Sequence, residues 1–361
     1  MKKILTVIIP TYNMEKLLEK NLQSLVIEDK ELLKQVEILV VNDGSKDRSS
    51  EIAHKFEALY PDTFRVIDKE NGNYGSCVNR GLKEATGKYI RIMDADDWYD
   101  TKNFELYIRK LEGINVDKIV TIFSEVRPEG KVEMPQPYEP WRILNMKEVN
   151  IVNHIPMHAI AYRTQLLRDM NYTQTEGISY TDQEWLLLPI PYVKTMYYIP
   201  LDVYQYYIGR EGQTMDASVI VKSYPQLFQA IRRVLQEYEL SLNIAQNKEY
   251  AIETVTRTVR WIYSIAFISA VFHGKTKCVK EMDLYIENVY PDIYMTLDQM
   301  KYGRVLKYPY IHEWRIKGRP LDMGKNHIRR YKLSHFYVML YRIPLLAWHS
   351  LTKKVEKIIQ K

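Results

Sequence analysis

Short apolar runs alternate with amphipathic stretches along the first 125 residues. KILTVIIP (3–10), VEILVVN (36–42), FRVID (64–68), YIRIMD (89–94) and DKIVTIF (117–123) are rich in β-branched side chains and read as strands. Between them, Glu15–Val26, Asp47–Tyr60, a stretch running through Val78 to Ala85, and Thr101–Leu111 carry apolar positions at helical spacing. Continuous apolar strands separated by helices of this length predict βαβ units. The fold class is therefore α/β: a Rossmann-like, mostly parallel sheet with helices on both faces. Ligands of such sheets bind beyond the carboxyl ends of the strands. PTYN, NDGS and DADD each follow a strand, so all three are expected on one rim.

The pattern changes further on. Residues 126–150 hold four prolines and read as loop, and 151–215 mix short elements. From Val219 the spacing turns helical through YPQLFQAIRRVLQEYEL, NKEYAIETVTRTVRWIYSIAFISAVF and TKCVKEMDLYIENVY. A boundary near 216 is expected, with 1–215 as the catalytic domain and 216–361 as a mainly helical C-terminal region that is acceptor- or membrane-facing. No internal repeat or low-complexity segment is visible.

Length and composition narrow the class. The chain has 361 residues, 46% of them hydrophobic, enough for a large core. Cys77 and Cys278 stand far apart and outside any CxxC pair, so a disulfide framework is not expected and a reducing, cytoplasmic setting fits. The opening apolar run is broken by Pro10 and lacks an export signal's length and cleavage pattern. WIYSIAFISAVF (261–272) falls short of the roughly 20 apolar residues of a membrane span and reads as a buried helix. Net charge is +6, with the excess concentrated in the 35 residues from His327. That basic, aromatic tail has two readings: an amphipathic element peripheral to the inner face of a membrane, or a helix packing its apolar side on the domain. No nucleic-acid partner is expected. The 29 tyrosines suit both polar ligands and ordinary cores.

The acids in YIRIMDADDW (89–98) demand a compensating charge. Two carboxylates spaced Asp-x-Asp at a strand end can share Mg²⁺ or Mn²⁺ through oxygen ligands, completed by substrate phosphates. The bland reading is an acidic turn in which Asp97 or Asp100 caps the next helix.

VIIPTYN (7–13), VVNDGSKDRS (40–49), NGNYGSCVNRGLKEATGKYI (71–90) and DADDW (94–98) occur in one order and spacing. Together they resemble the N-terminal half of family-2 glycosyltransferases, which have the GT-A fold, over about residues 4–215. The resemblance implies a nucleotide-sugar donor, UDP-linked in most relatives, held by Pro10, Thr11, Tyr12, Asn13, Asp43, Asn71, Gly75, Asp94 and Ala95. Thr11 and Tyr12 would meet the base and ribose side, and Asp43 would accept from a base N–H. Asp96, helped by Asp94, would ligate Mn²⁺ or Mg²⁺ between the phosphates. Val78 stands where many relatives carry an arginine. Arg80, two places later, is read either as reaching the site by another path or as pairing with a surface acid.

YTDQEW (180–185) lies where the family carries an acidic pair whose aspartate deprotonates the acceptor hydroxyl, with Thr181 in place of the first acid. Asp182 is thus the expected base and Glu184 structural. Thr181-x-x-Glu184 has the form of a capping box, which would put Asp182 at a helix N-terminus that favours its ionised form. Within YQYYIGREGQTMD (204–216), Arg210 and Gln213 are candidate donor or phosphate contacts. In HIPMH (154–158), Pro156 opposes the helix a two-histidine zinc site needs and no third ligand lies near in sequence. His158 is expected to line the acceptor pocket or to pack. No Walker loop, HExxH or GxSxG is present.

The resemblance implies an inverting, metal-dependent transferase of hexosyl type, moving a sugar to a glycan or lipid-linked acceptor in polysaccharide synthesis. A sugar nucleotidyltransferase and a catalytically inactive sugar-nucleotide-binding scaffold remain as alternatives.

Overall fold

The computed structural model describes residues 3–149, 155–209, 217–271, 274–301 and 308–320. Among the described residues ten strands form one sheet: β1 (Leu5–Thr11), β2 (Val36–Asn42), β3 (Phe64–Asp68), β4 (Tyr89–Ile92), β5 (Trp98–Tyr99), β6 (Lys118–Arg127), β7 (Gly130–Met134), β8 (Ile143–Asn145), β9 (Ile160–Arg163) and β10 (Thr195–Tyr207). Their order is β3-β2-β1-β4-β9-β6-β10-β5, with β7 on β6 and β8 on β10. The β3-β2-β1-β4 run is parallel, as is β6 with β10. β9 is inserted antiparallel between β4 and β6, which leaves those two strands pointing the same way. All seven residues of β2 are buried, so both faces of the sheet are covered.

The helix Asn73–Glu84 packs on β1 and β2, and Thr101–Leu111 on β10. The first approaches closely at Gly81, where an added Cβ would lie 2.6 Å from the Ile8 side chain. The expectation of a loop over 126–150 is corrected. β6 runs on to Arg127, turns at Pro128 and Glu129 and returns as β7, and Ile143–Asn145 pairs with β10. The prolines sit in the connections, where no ladder donor is needed.

Two compact units are present: residues 1–219 with 229–259, and 220–228 with 260 onward. In the first, Asn247 donates to the carbonyls of Met146 and Val149 at 2.8 and 3.0 Å, which ties residues 229–259 to the sheet-bearing part. The second is built round Asp283, fully buried on the helix Lys277–Val289. Its carboxylate accepts from Tyr263 Oη at 2.6 Å, Arg315 Nη2 at 2.6 Å and Arg319 Nε at 2.8 Å. Arg315 also lies 3.6 Å over the Tyr294 ring. No helix among the described residues is long and apolar enough to cross a membrane.

Candidate active site

The parallel register Thr11↔Asn42 and Ile8↔Ile92 brings the ends of β1, β2 and β4 to one rim. The loops beyond them are tied together as that register requires. Asp43 N donates to Thr11 O at 2.8 Å, Asn13 N to Ser45 Oγ at 3.0 Å, and Lys46 N to Asn13 Oδ1 at 2.8 Å. Asn13 takes φ +53° at this turn, a left-handed conformation that asparagine tolerates. Asn21, fully buried on the helix Leu18–Gln23, donates to the carbonyls of both Asp94 and Asp97 at 2.9 Å and so clamps the acidic turn.

At the first-strand loop, Pro10 is half-buried, the Thr11 hydroxyl is buried and bonded to Ile9 O at 3.1 Å, and the Tyr12 ring is 47% exposed. Tyr12 is thus the side chain here that offers a free face. Asp43 is buried. Its Oδ1 accepts from Lys69 Nζ at 2.6 Å and Gly72 N at 2.9 Å, while Asn71 Nδ2 donates to its carbonyl at 3.0 Å. Lys69 follows β3, so the third strand end also feeds the rim. Gly75 has a packing reason to be glycine: a Cβ there would fall 2.1 Å from Thr175 O. Val78 is fully buried, and Arg80 pairs with Glu84 at 3.0 Å on the surface.

In the acidic turn, Asp94 and Asp96 are half-buried and Ala95 is buried. Asp97 is 1% exposed, and its oxygens accept from Tyr204 Oη at 2.6 Å and Tyr207 N at 2.8 Å. Burial, with Asp94 and Asp96 beside it, holds the Asp97 carboxyl above the usual carboxylate range. Asp100 caps the helix Thr101–Leu111 by accepting from Asn103 N at 2.9 Å. The acids thus divide: Asp97 and Asp100 hold structure, while Asp94 and Asp96 are left at the rim.

Asp182 opens the helix Asp182–Leu187, as the spacing predicts, but the capping box does not form. Thr181 Oγ1 donates to Gln174 Oε1 at 3.0 Å, and Glu184 Oε2 accepts from Thr175 N at 2.8 Å. Both side chains hold the 174–175 segment instead, because Thr181 is itself in a helical conformation and leaves no capping geometry. The expected helix-terminus effect on Asp182 is outweighed. Burial raises its pKa, opposed by the Gln183 amide that donates to Oδ2 at 2.8 Å.

Several residues at the site were missed in sequence. Tyr74 donates to Asp94 Oδ1 at 2.8 Å, and the charges of Asp94, Asp182 and Asp97 all bear on its phenol. Tyr206 feels Asp97, Asp94, Asp96 and Asp182 together. Tyr204 is a hinge of the turn, donating to Asp97 and accepting from Asp94 N at 3.1 Å. The available signal was the alternation in YQYY, which puts Tyr204 and Tyr206 on one face of a strand. His158, on a short 3₁₀ turn after Pro156, packs against Tyr206 with ring centroids 4.1 Å apart. Its ligand nitrogen and the carboxylates of Asp94 and Asp97 lie within 4.8 Å of one another. Opposite ligands of one Mg²⁺ at ~2.1 Å stand ~4 Å apart, and His158 Nε2 and Asp94 Oδ2 are separated by 4.0 Å. Arg210 and Gln213 lie outside the described residues, as do His154 and the tail from His327.

Residues 6–170 match the family model described as Glycosyl transferase family 2. Over 146 residues the chain is 32% identical to the uncharacterized glycosyltransferase EpsJ of Bacillus subtilis strain 168, covering 40% of this chain and 41% of that one. Over 147 residues it is 30% identical to the minor teichoic acid biosynthesis protein GgaB of the same strain, covering 40% of this chain and 16% of GgaB. These matches span less than half of the relatives' own length. A crystal structure of S. aureus TarS 1–349 in complex with UDP-GlcNAc superposes with a TM-score of 0.59 at 21% identity, covering 80% of each chain. The two share a fold.

Proposed function

We propose that this chain, which carries a family-2 glycosyltransferase domain of GT-A fold in residues 6–170, moves a sugar from a nucleoside-diphosphate donor to an acceptor hydroxyl with inversion. The observation that carries the reading is convergence. Tyr74 donates to Asp94 Oδ1 at 2.8 Å, Tyr206 stacks on the imidazole that stands 4.0 Å from the same carboxylate, and the charge of Asp182, from a separate element, bears on both phenols. A base and a diphosphate site must flank one sugar for in-line displacement, and this arrangement supports that.

Asp182 takes the proton of the acceptor hydroxyl. The acceptor oxygen bonds to the anomeric carbon as the bond to the diphosphate oxygen breaks, and the electron pair leaves with the diphosphate. A positioned base of this kind contributes ~10²–10⁴-fold. Asp94 and Asp96 would hold Mn²⁺ or Mg²⁺, which when bound supplies Lewis-acid stabilisation of the departing phosphate. Tyr12 offers its exposed ring to the base, and the loop held by Asp43, Lys69 and Asn71 receives the nucleoside end. The UDP-GlcNAc in TarS supports a UDP-linked donor. The relative named for teichoic acid biosynthesis supports a glycan or lipid-linked polymer as acceptor.

The test is a thermal-shift screen of UDP-, GDP- and dTDP-sugars with Mn²⁺, followed by product analysis. Selective stabilisation by one donor and release of its nucleoside diphosphate, abolished in Asp182→Asn, support the reading. Pyrophosphate as product assigns a nucleotidyltransferase instead. Donor binding with turnover unchanged by Asp182→Asn removes that residue as base.

A further inference from the structure

We propose that His158 supplies a nitrogen donor to the cation site beside Asp94, and that this donor gives the site a preference for Mn²⁺ over Mg²⁺. The inference rests on the cation-dependent reading above and adds a residue and a selectivity that the Asp-x-Asp pattern does not contain. His158 Nε2 stands 4.0 Å from Asp94 Oδ2. That is within the separation of two ligands on one small divalent ion, ~4 Å when they are opposed.

The imidazole is fixed in place from three sides. It stacks on Tyr206 with ring centroids 4.1 Å apart, and lies 4.8 Å from the Tyr204 ring and 5.6 Å from Phe123. Its own carbonyl accepts from Arg91 Nη2. Arg91 is fully buried, bonded to Thr121 Oγ1 at 2.9 Å and enclosed by the rings of Tyr99, Tyr107 and Tyr204. The strand position that carries the guanidinium thus anchors the turn that carries the histidine. A donor held this way loses little rotamer freedom on binding.

The carboxylates around it divide the work. Asp97 belongs to the same cluster by distance, but Tyr204 Oη and Tyr207 N already occupy one oxygen each. Asp94 is the carboxylate that reaches toward the histidine, and Tyr74 Oη orients its other oxygen. A carboxylate–imidazole pair is a mixed O,N donor set. Mg²⁺ takes oxygen ligands and dehydrates reluctantly, whereas Mn²⁺, equally at home with carboxylates but the first member of the transition series, accepts an imidazole nitrogen more readily than Mg²⁺ does.

Mn²⁺ binding is measured on the full chain by electron paramagnetic resonance, alone and with UDP, with Mg²⁺ as competitor. Wild type is expected to hold Mn²⁺ at least about tenfold tighter than Mg²⁺. His158→Gln is expected to weaken Mn²⁺ by at least about tenfold while changing Mg²⁺ less, so that the preference collapses. His158→Asp, which makes the set all-oxygen, should shift the preference toward Mg²⁺. Pulsed measurements on wild type should show ¹⁴N coupling to bound Mn²⁺, a readout independent of whether the variants fold. Mn²⁺ bound without ¹⁴N coupling, or bound as tightly by a folded His158→Gln, overturns the assignment and leaves the cation reading intact. Wild type that binds neither ion, with or without UDP, sinks the cation reading and this inference with it.

Discussion

Tyr74 donates its hydroxyl to Asp94 Oδ1 at 2.8 Å, joining the helix that follows β3 to the acidic turn that follows β4. Burial and the adjacent carboxylate raise the phenol's pKa, so it stays a donor throughout the working range. Its partner Asp94 also stands 4.0 Å from His158 Nε2 through its other oxygen. One hydroxyl therefore orients the carboxylate on which donor binding is proposed to turn.

Tyr74→Phe removes that hydroxyl and keeps the ring. A hydrogen bond to a charged group contributes ~1.5–3 kcal/mol, so kcat/KM for the donor should fall about 10- to 100-fold. The melting temperature should move little, because the ring packing is retained. Steady-state kinetics beside a melting curve separate the two effects. Unchanged kinetics would assign Tyr74 to packing.

The pH profile follows from Asp182. Burial raises its pKa, and a base works only when ionised. Activity should therefore be lost on acidification, through a limb lying above the ~3.9 of an ordinary aspartate. Gln183 donates to Oδ2 and favours the ionised form, so Gln183→Leu should push the limb to still higher pH. A kcat/KM profile that stays flat down to pH ~4 in both proteins would remove Asp182 from the chemistry.

Gly75→Ala tests the seam between the donor helix and the base segment. The new Cβ would meet Thr175 O at 2.1 Å, a backbone atom that cannot swing aside. Thr175 N is the donor that Glu184 holds, two residues beyond Asp182. Overpacking of this kind costs about 1–3 kcal/mol. Chemical denaturation should show that loss, together with a fall in kcat exceeding any rise in donor KM.

In the second unit, Asp283→Ala removes the buried carboxylate that Arg315 and Arg319 share, leaving Arg315 to Asp298 and Arg319 to Glu287. Removing one partner of a buried ion pair costs about 3–5 kcal/mol. A lowered midpoint for the helical unit should appear in denaturation followed by Trp fluorescence, since Trp314 is buried there. Donor affinity, read at a temperature where both units are folded, should be near wild type.

Much of the rim was legible because strand ends are read from local pattern. LTVIIPT and VEILVVN are nearly unbroken apolar runs, and parallel pairing then sets Thr11 beside Asn42 on one side of β1 and the acidic turn after β4 on the other. The capping box was misread because Thr181 and Glu184 have the right spacing but the wrong backbone at Thr181. Their side chains answer to Gln174 and Thr175, and no local rule reports those partners. The loop expected at 126–150 failed for a related reason. Proline density marks connections, yet β7 is made by pairing with β6 rather than by its own composition.

Local order along the chain determined the βαβ alternation, the three polar clusters at strand ends, and Asp182 as the first residue of its helix. These depend on side-chain periodicity and on peptide geometry, which act over a few residues. Tertiary structure alone decided which acids remain at the rim, why Asp97 is withdrawn from it, and that His158 and Tyr74 face Asp94. Those outcomes depend on contacts between residues 20 to 110 positions apart, such as Tyr74 with Asp94 and Tyr204 with Asp97. Burial and charge at such contacts are set by what the fold brings close, a distance that sequence separation does not encode.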